Sequence, residues 1–238
     1  MDKPDTHQNA RYEPLQIHHL SHDLRGPLNS VLGFTELLLE GIDGPLNDVQ
    51  KEDLTAIYQS GTQLLRLINA AVDAGKIDAG RLKLVTGPVS LHTAAQSAAD
   101  TLAAAETPVL LSVNIPAKFP PVWADRDRVE EIISVIARYL HSLLKNGTIE
   151  LSAEDGNPLV SVKLQANVVI PPEKLAHLFE LNARVDAAGH SEVTEGGVFL
   201  PLAHRLARAQ NGSLTVKSAL DSGTVFELRL PRYRPESD

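Results

Sequence analysis

Apolar residues recur every three or four positions between about Leu15 and Glu40, at Ile17, Leu20, Leu24, Leu28, Val31 and Leu38. That spacing lines them along one side of an α-helix. The run Gly41-Ile-Asp-Gly-Pro45 interrupts it. The same spacing then resumes at Leu54, Ile57, Gly61, Leu64, Leu65, Ile68 and Val72, up to about Ile77. Two amphipathic helices joined by a short loop make a hairpin, and their apolar faces are too wide to cover one another. A symmetric pair of hairpins closing a four-helix bundle is the economical solution, so a homodimer is expected.

The pattern changes between Ala79 and Pro88. An alanine-rich segment, Leu91 to Ala105, leads into strand-like runs at Val109–Val113, Thr148–Ser152, Leu159–Leu164, Ser213–Val216 and Thr224–Leu230. Helical spacing at Arg128–Leu144, Pro172–Phe179 and Leu200–Gln210 alternates with them, and a final hairpin turns across Ala219-Leu-Asp-Ser-Gly223. The fold class expected is therefore α plus α+β: a helical hairpin, then an α/β sandwich of one sheet against helices. The expected domains are 1–11 as a flexible N-terminus, 12–82, 87–232 and a tail at 233–238, with no sensor domain ahead of the bundle.

Composition narrows the function. With 238 residues, 43% of them hydrophobic, the chain is long enough for two cores. It has no cysteine, which removes disulfides, thiolate metal sites and cysteine nucleophiles together. No run approaches the roughly 20 apolar residues of a membrane helix, and the polar start lacks the order of a signal peptide. A soluble, cytoplasmic protein without a membrane partner is expected. Lys and Arg number 22 against 30 Asp and Glu, a net charge of −8 with no long basic block, which argues against nucleic acid and for a protein partner.

The segment Ser21-His-Asp-Leu-Arg-Gly-Pro-Leu-Asn29 sets a histidine beside an acid near the start of a long helix that contains a proline. Pro27 removes one helix hydrogen bond and bends the helix close to His22. Taken alone, His18, His19 and His22 read as solvated surface histidines on a helical bundle. His18 and His22 share a helical face, as metal ligands would, but no third ligand stands at a suitable spacing.

His22, Asp23, Leu24, Arg25, Pro27 and Leu28 resemble the phosphoacceptor box of sensor histidine kinases residue for residue. The resemblance continues through Phe34-Thr-Glu-Leu-Leu to Lys76-Ile-Asp-Ala-Gly80 and covers roughly residues 12–82, the dimerisation and histidine-phosphotransfer domain. It implies that His22 is the nucleophile and Asp23 the base that orients it, with Arg25 in the same site. The chemistry suits these residue types. A neutral imidazole attacks phosphorus through one nitrogen, and a carboxylate can bond the other N–H and raise its nucleophilicity. It also implies that a receiver domain docks below His22, on an apolar groove containing Leu28 and Val31. Family members that dephosphorylate their partner carry threonine or asparagine four positions after the histidine. Gly26 stands there, so the resemblance does not extend to that step.

Residues 87–232 resemble the ATP-binding domain of the same family, shared with Hsp90-type ATPases. Ala124-Asp-Arg-Asp-Arg128, Leu178-Phe-Glu, Arg184-Val-Asp, Leu202-Ala-His-Arg-Leu206, Asn211-Gly-Ser and Ser222-Gly-Thr-Val-Phe226 carry the scaffold. The nucleotide positions depart from it. Val135 and Tyr139 replace two asparagines, the second of which holds Mg²⁺, and valine offers a hard cation no oxygen. Gln165 replaces the aspartate that reads adenine, and Asn167 and Val169 replace glycines of that loop. In Glu195-Gly-Gly-Val-Phe199 an acid and Phe199 stand where a glycine-rich phosphate turn belongs, although Gly197 survives. His190, Glu192 and Glu195 read as a solvated former lid.

The expected function is a phosphorelay protein, a histidine phosphotransferase or pseudo-histidine kinase. It carries phosphate on His22 and exchanges it with response-regulator receiver domains, with no cofactor of its own. Phosphoryl transfer needs mainly in-line positioning and charge stabilisation, so such a shuttle requires no nucleotide. Two alternatives stay open. One is an active kinase using ATP and Mg²⁺ in a divergent site. The other is a non-catalytic dimeric scaffold that binds a receiver or a sister histidine kinase.

Overall fold

A computed structural model of the chain describes residues 14–103, 108–180 and 197–235, with the side chains of residues 14–20 and of His22 outside that description. The fold divides into two compact units, up to Leu82 and from Lys83 onward.

The first unit is a helical hairpin of α1 (Pro14–Leu39) and α2 (Asp48–Asp78). Gly41, at φ 73°, takes the left-handed conformation that glycine enters without a Cβ penalty and ends α1, and Gly44, at φ 124°, turns the loop that follows. Asn47 opens α2 with a capping box: Gln50 N–H donates to Asn47 Oδ1 at 2.9 Å and Asn47 N–H donates to Gln50 Oε1 at 3.0 Å. This starts α2 ahead of Leu54, where the apolar stripe begins. Gly61 sets the helix contact: a Cβ there would stand 2.8 Å from Leu32 Cδ2 and 3.7 Å from Leu28 Cδ1, so its absence lets the helices close. Leu24, Val31, Phe34, Leu37, Ile57 and Leu64 remain exposed, Phe34 by 69%.

The second unit carries two sheets. β1 (Thr86–Val89) and β3 (Val122–Asp125) form an antiparallel pair absent from the sequence expectation. Each has only four residues, and β1 contains Gly87 and Pro88, so neither produces an alternating pattern. The main sheet has the order β2-β4-β5-β7-β6, from Val109–Asn114, Gly147–Glu154, Leu159–Ala166, Gly223–Pro231 and Ser213–Ala219. β2 runs parallel to β4, and the other neighbours are antiparallel.

Helices α3 (Leu91–Ala103), α4 (Arg126–Leu143) and α6 (Phe199–Ala209) supply most of the apolar residues that face this sheet. Ile132, Ile133, Ile136 and Leu140 of α4, with Leu200 and Leu206 of α6, are fully buried along with Leu151, Leu164 and Phe226 of the strands. Asp125 begins α4 by accepting from Arg128 N–H at 3.3 Å and from Val85 N–H at 2.8 Å. Gln210, buried at the end of α6, accepts from Asp125 N–H at 2.7 Å, which ties the two helices together.

The helix expected over Pro172–Phe179 shortens to α5, Pro172–Leu175, followed by turns. None of its residues is buried, so no packing extends it beyond the proline-initiated turn. The described helices include none long and apolar enough to cross a membrane.

Candidate functional site

His22 lies on α1, five residues before Pro27, and its side chain is outside the described residues. Pro27 has no N–H to donate to the carbonyl one turn before it, and Ser30 Oγ donates to the carbonyl of Gly26 at 3.2 Å. Asp23 is exposed, as is Gly26, where a Cβ would meet nothing within 4 Å. Leu28 turns toward Gly61 of α2, whereas Val31 points outward and is 48% exposed.

Arg25 reaches across to α2. Its Nε and Nη2 both donate to Asn69 Oδ1, at 3.0 and 2.7 Å. Asn69 did not emerge from the sequence because its relation to Arg25 is set by the register of the hairpin. The contact of Gly61 with Leu28 and Leu32 fixes that register about two turns away.

The second constellation lies between the sheet and helices α4 and α6. Tyr139 is 8% exposed and meets Phe226 of β7 edge-on, with centroids 5.9 Å apart at 83°. Phe226 is met again by Phe179 at 6.5 Å and 77°, and Phe179 stacks on His204 of α6 at 4.8 Å and 17°. Burial raises the Tyr139 pKa above the ordinary phenol value. Burial also lowers that of His204, helped by the cationic Arg208 and Arg205. One turn before Tyr139, Val135 is buried among the apolar residues of α4. These four rings stand on four separate segments of the chain, so only their packing assembles one aromatic cluster.

The loop after β5 is anchored by hydroxyls. Ile170 N–H donates to Ser218 Oγ at 2.9 Å, and Thr224 Oγ1, fully buried, donates to the Val168 carbonyl at 2.6 Å. Since the Thr224 proton is committed to a carbonyl, Ser218 donates to Thr224 in their 2.9 Å contact. Gly223, at φ 70°, completes this anchor: a Cβ would stand 2.3 Å from the Ala166 carbonyl oxygen. Gln165 is exposed, its Nε2 donating to the Ser222 carbonyl at 3.2 Å, and Asn167 and Val169 are exposed beside it.

At the start of α6, Phe199 is 4% exposed, and no side chain caps the helix. Arg184, His190, Glu192 and Glu195 lie outside the described residues. The described residues contain no group of three or more His, Asp or Glu that could hold a metal ion.

A helical hairpin followed by a five-stranded sheet layered with helices defines the class, and comparison with known proteins identifies it. Residues 15–80 match the His Kinase A (phospho-acceptor) domain, and residues 125–234 match the histidine kinase-, DNA gyrase B- and HSP90-like ATPase. The circadian input-output histidine kinase CikA of Synechococcus elongatus is 28% identical over 218 residues, which cover 89% of this chain and 29% of that protein. Histidine protein kinase DivJ of Caulobacter vibrioides is 30% identical, with coverage of 89% and 36%. Full-length ShkA, solved in complex with AMPPNP, superposes with a TM-score of 0.72 at 24% identity, covering 94% of this chain and 47% of that one, a likeness of fold. The chain belongs to the two-component histidine kinase family. It spans 29% and 36% of the lengths of those two kinases.

Proposed function

We propose that the chain is a dimeric phosphorelay protein that accepts phosphate on His22 from a receiver-domain aspartate and passes it to another, without taking it from ATP. In the transfer, a nitrogen of neutral His22 attacks phosphorus, the N–P bond forms as the P–O bond to the aspartyl carboxylate breaks, and the carboxylate leaves. Asp23 orients the ring, and the receiver supplies its own Mg²⁺. Dimerisation would cover the apolar side chains that a single hairpin exposes, Val31, Phe34, Leu37, Ile57 and Leu64 among them.

The observation that carries the absence of an ATP step is the burial of Tyr139. Where the family places an amide for Mg²⁺, this chain places a ring that forms part of the core against Phe226. Val135 offers no ligand oxygen, and Phe199 occupies the helix start where small residues would admit phosphates. These residues do not fit a magnesium nucleotide, whereas the His22 box is intact.

The second reading, an active kinase, is favoured by the match of residues 125–234 to the ATPase domain. The test incubates the purified chain with ATP-γ-³²P and Mg²⁺, and separately with ³²P-phosphorylated receivers, using His22→Gln as control. Acid-labile label from receivers but not from ATP, lost in the variant, supports the relay. Label from ATP supports the kinase, and label from neither source leaves a dimeric scaffold.

A further inference from the structure

We infer that Asn69 is a positioning residue for phosphoryl transfer: it holds the Arg25 guanidinium so that one edge stays free for the phosphoryl oxygens at His22. The inference rests on the assignment of His22 as the phosphate carrier. Arg25 follows His22 by three positions, so the two share a face of α1. A guanidinium has five N–H donors in a rigid plane. Asn69 Oδ1 accepts from Nε and from Nη2, at 3.0 and 2.7 Å, and so grips one edge of that plane. The Nη1 donors and the second Nη2 donor remain along the other edge, the fork that pairs with two phosphoryl oxygens.

The acceptor's chemistry matters as much as its place. Asn69 is an exposed amide, so it fixes the guanidinium without neutralising it. An aspartate there would grip the same edge but spend part of the charge needed by the incoming phosphoryl group. Without Asn69, the Arg25 side chain would sample many rotamers, and each transfer would have to order it afresh.

The experiment uses the full chain and four forms: wild type, Asn69→Ala, Arg25→Ala and the double variant. His22 is phosphorylated with phosphoramidate, a donor that needs neither ATP nor a receiver, and in parallel with phosphorylated receivers. Asn69→Ala is expected to slow labelling about 3- to 10-fold, the worth of one aligned hydrogen bond. In the Arg25→Ala background it should slow labelling no further, because Asn69 acts through Arg25. Thermal midpoints report any purely structural effect and should stay together.

Equal rates for Asn69→Ala and wild type, or the same loss in both Arg25 backgrounds, would overturn the inference. Label from phosphoramidate with this pattern, but none from receivers, would sink the relay reading while leaving Asn69 its role. No label at His22 from phosphoramidate would overturn both.

Discussion

Replacing Tyr139 by alanine separates a packed core from a vacated nucleotide site. The ring is 8% exposed and stands edge-on to Phe226, itself fully buried. Removing a buried aromatic side chain costs about 3–5 kcal/mol, of which the edge-on contact supplies about 0.5–1.5. In a unit of this size, 1 kcal/mol moves the unfolding midpoint by about 2–4 °C, so Tyr139→Ala should lower it by roughly 10 °C. Tyr139→Phe keeps the ring and its edge-on contact with Phe226, and should stay within about 1 kcal/mol of wild type. Circular dichroism followed on heating reads both variants, and a parallel scan with Mg-ATP reads the ligand. A ligand at 100 times its Kd would add about 2.7 kcal/mol of stability, and none is expected here. A midpoint for Tyr139→Ala within about 2 °C of wild type would show that the ring does not fill the core. A clear rise with Mg-ATP would refute the loss of the nucleotide.

Three further outcomes follow from the geometry. Gly26→Ala should stabilise the hairpin by about 1 kcal/mol, since the site is helical and a Cβ meets nothing within 4 Å, and urea unfolding measures it. Gly223→Ala should destabilise the sheet unit by more than about 2 kcal/mol, because φ is 70° and the new methyl would press on the Ala166 carbonyl; its denaturant midpoint should fall accordingly. His204, whose pKa is lowered in the folded chain, favours its neutral form there, while the unfolded chain binds the proton more readily. Its contribution is therefore complete above about pH 6.5 and is lost as pH falls from there through the lower folded value. His204→Phe, which keeps a ring on Phe179, should flatten the stability profile between pH 7 and 5.5, and an unchanged profile would rule this out.

The hairpin is legible in the sequence because helical periodicity is a local property and Gly41 ends α1 whatever the rest of the chain does. The candidate nucleophile is legible there too, since His22, Asp23 and Arg25 are neighbours along one helix and need no long-range contact to be recognised. All five strands of the main sheet were legible for the same reason: β5, for example, alternates buried and less buried residues along its length. The pairing of β1 with β3 was not, because strands of four residues carry too little pattern. What Tyr139 and Asn69 touch depends on contacts between segments distant in sequence. In sequence Tyr139 is only a residue of the wrong type for a magnesium site. Its role as core follows from Phe226 arriving on β7, an interior strand of the sheet far along the chain. Asn69 looks like one more polar residue on α2 until Gly61 sets the helix register and brings it against Arg25. Local periodicity fixes which way a side chain faces, but only packing between distant segments fixes what it meets.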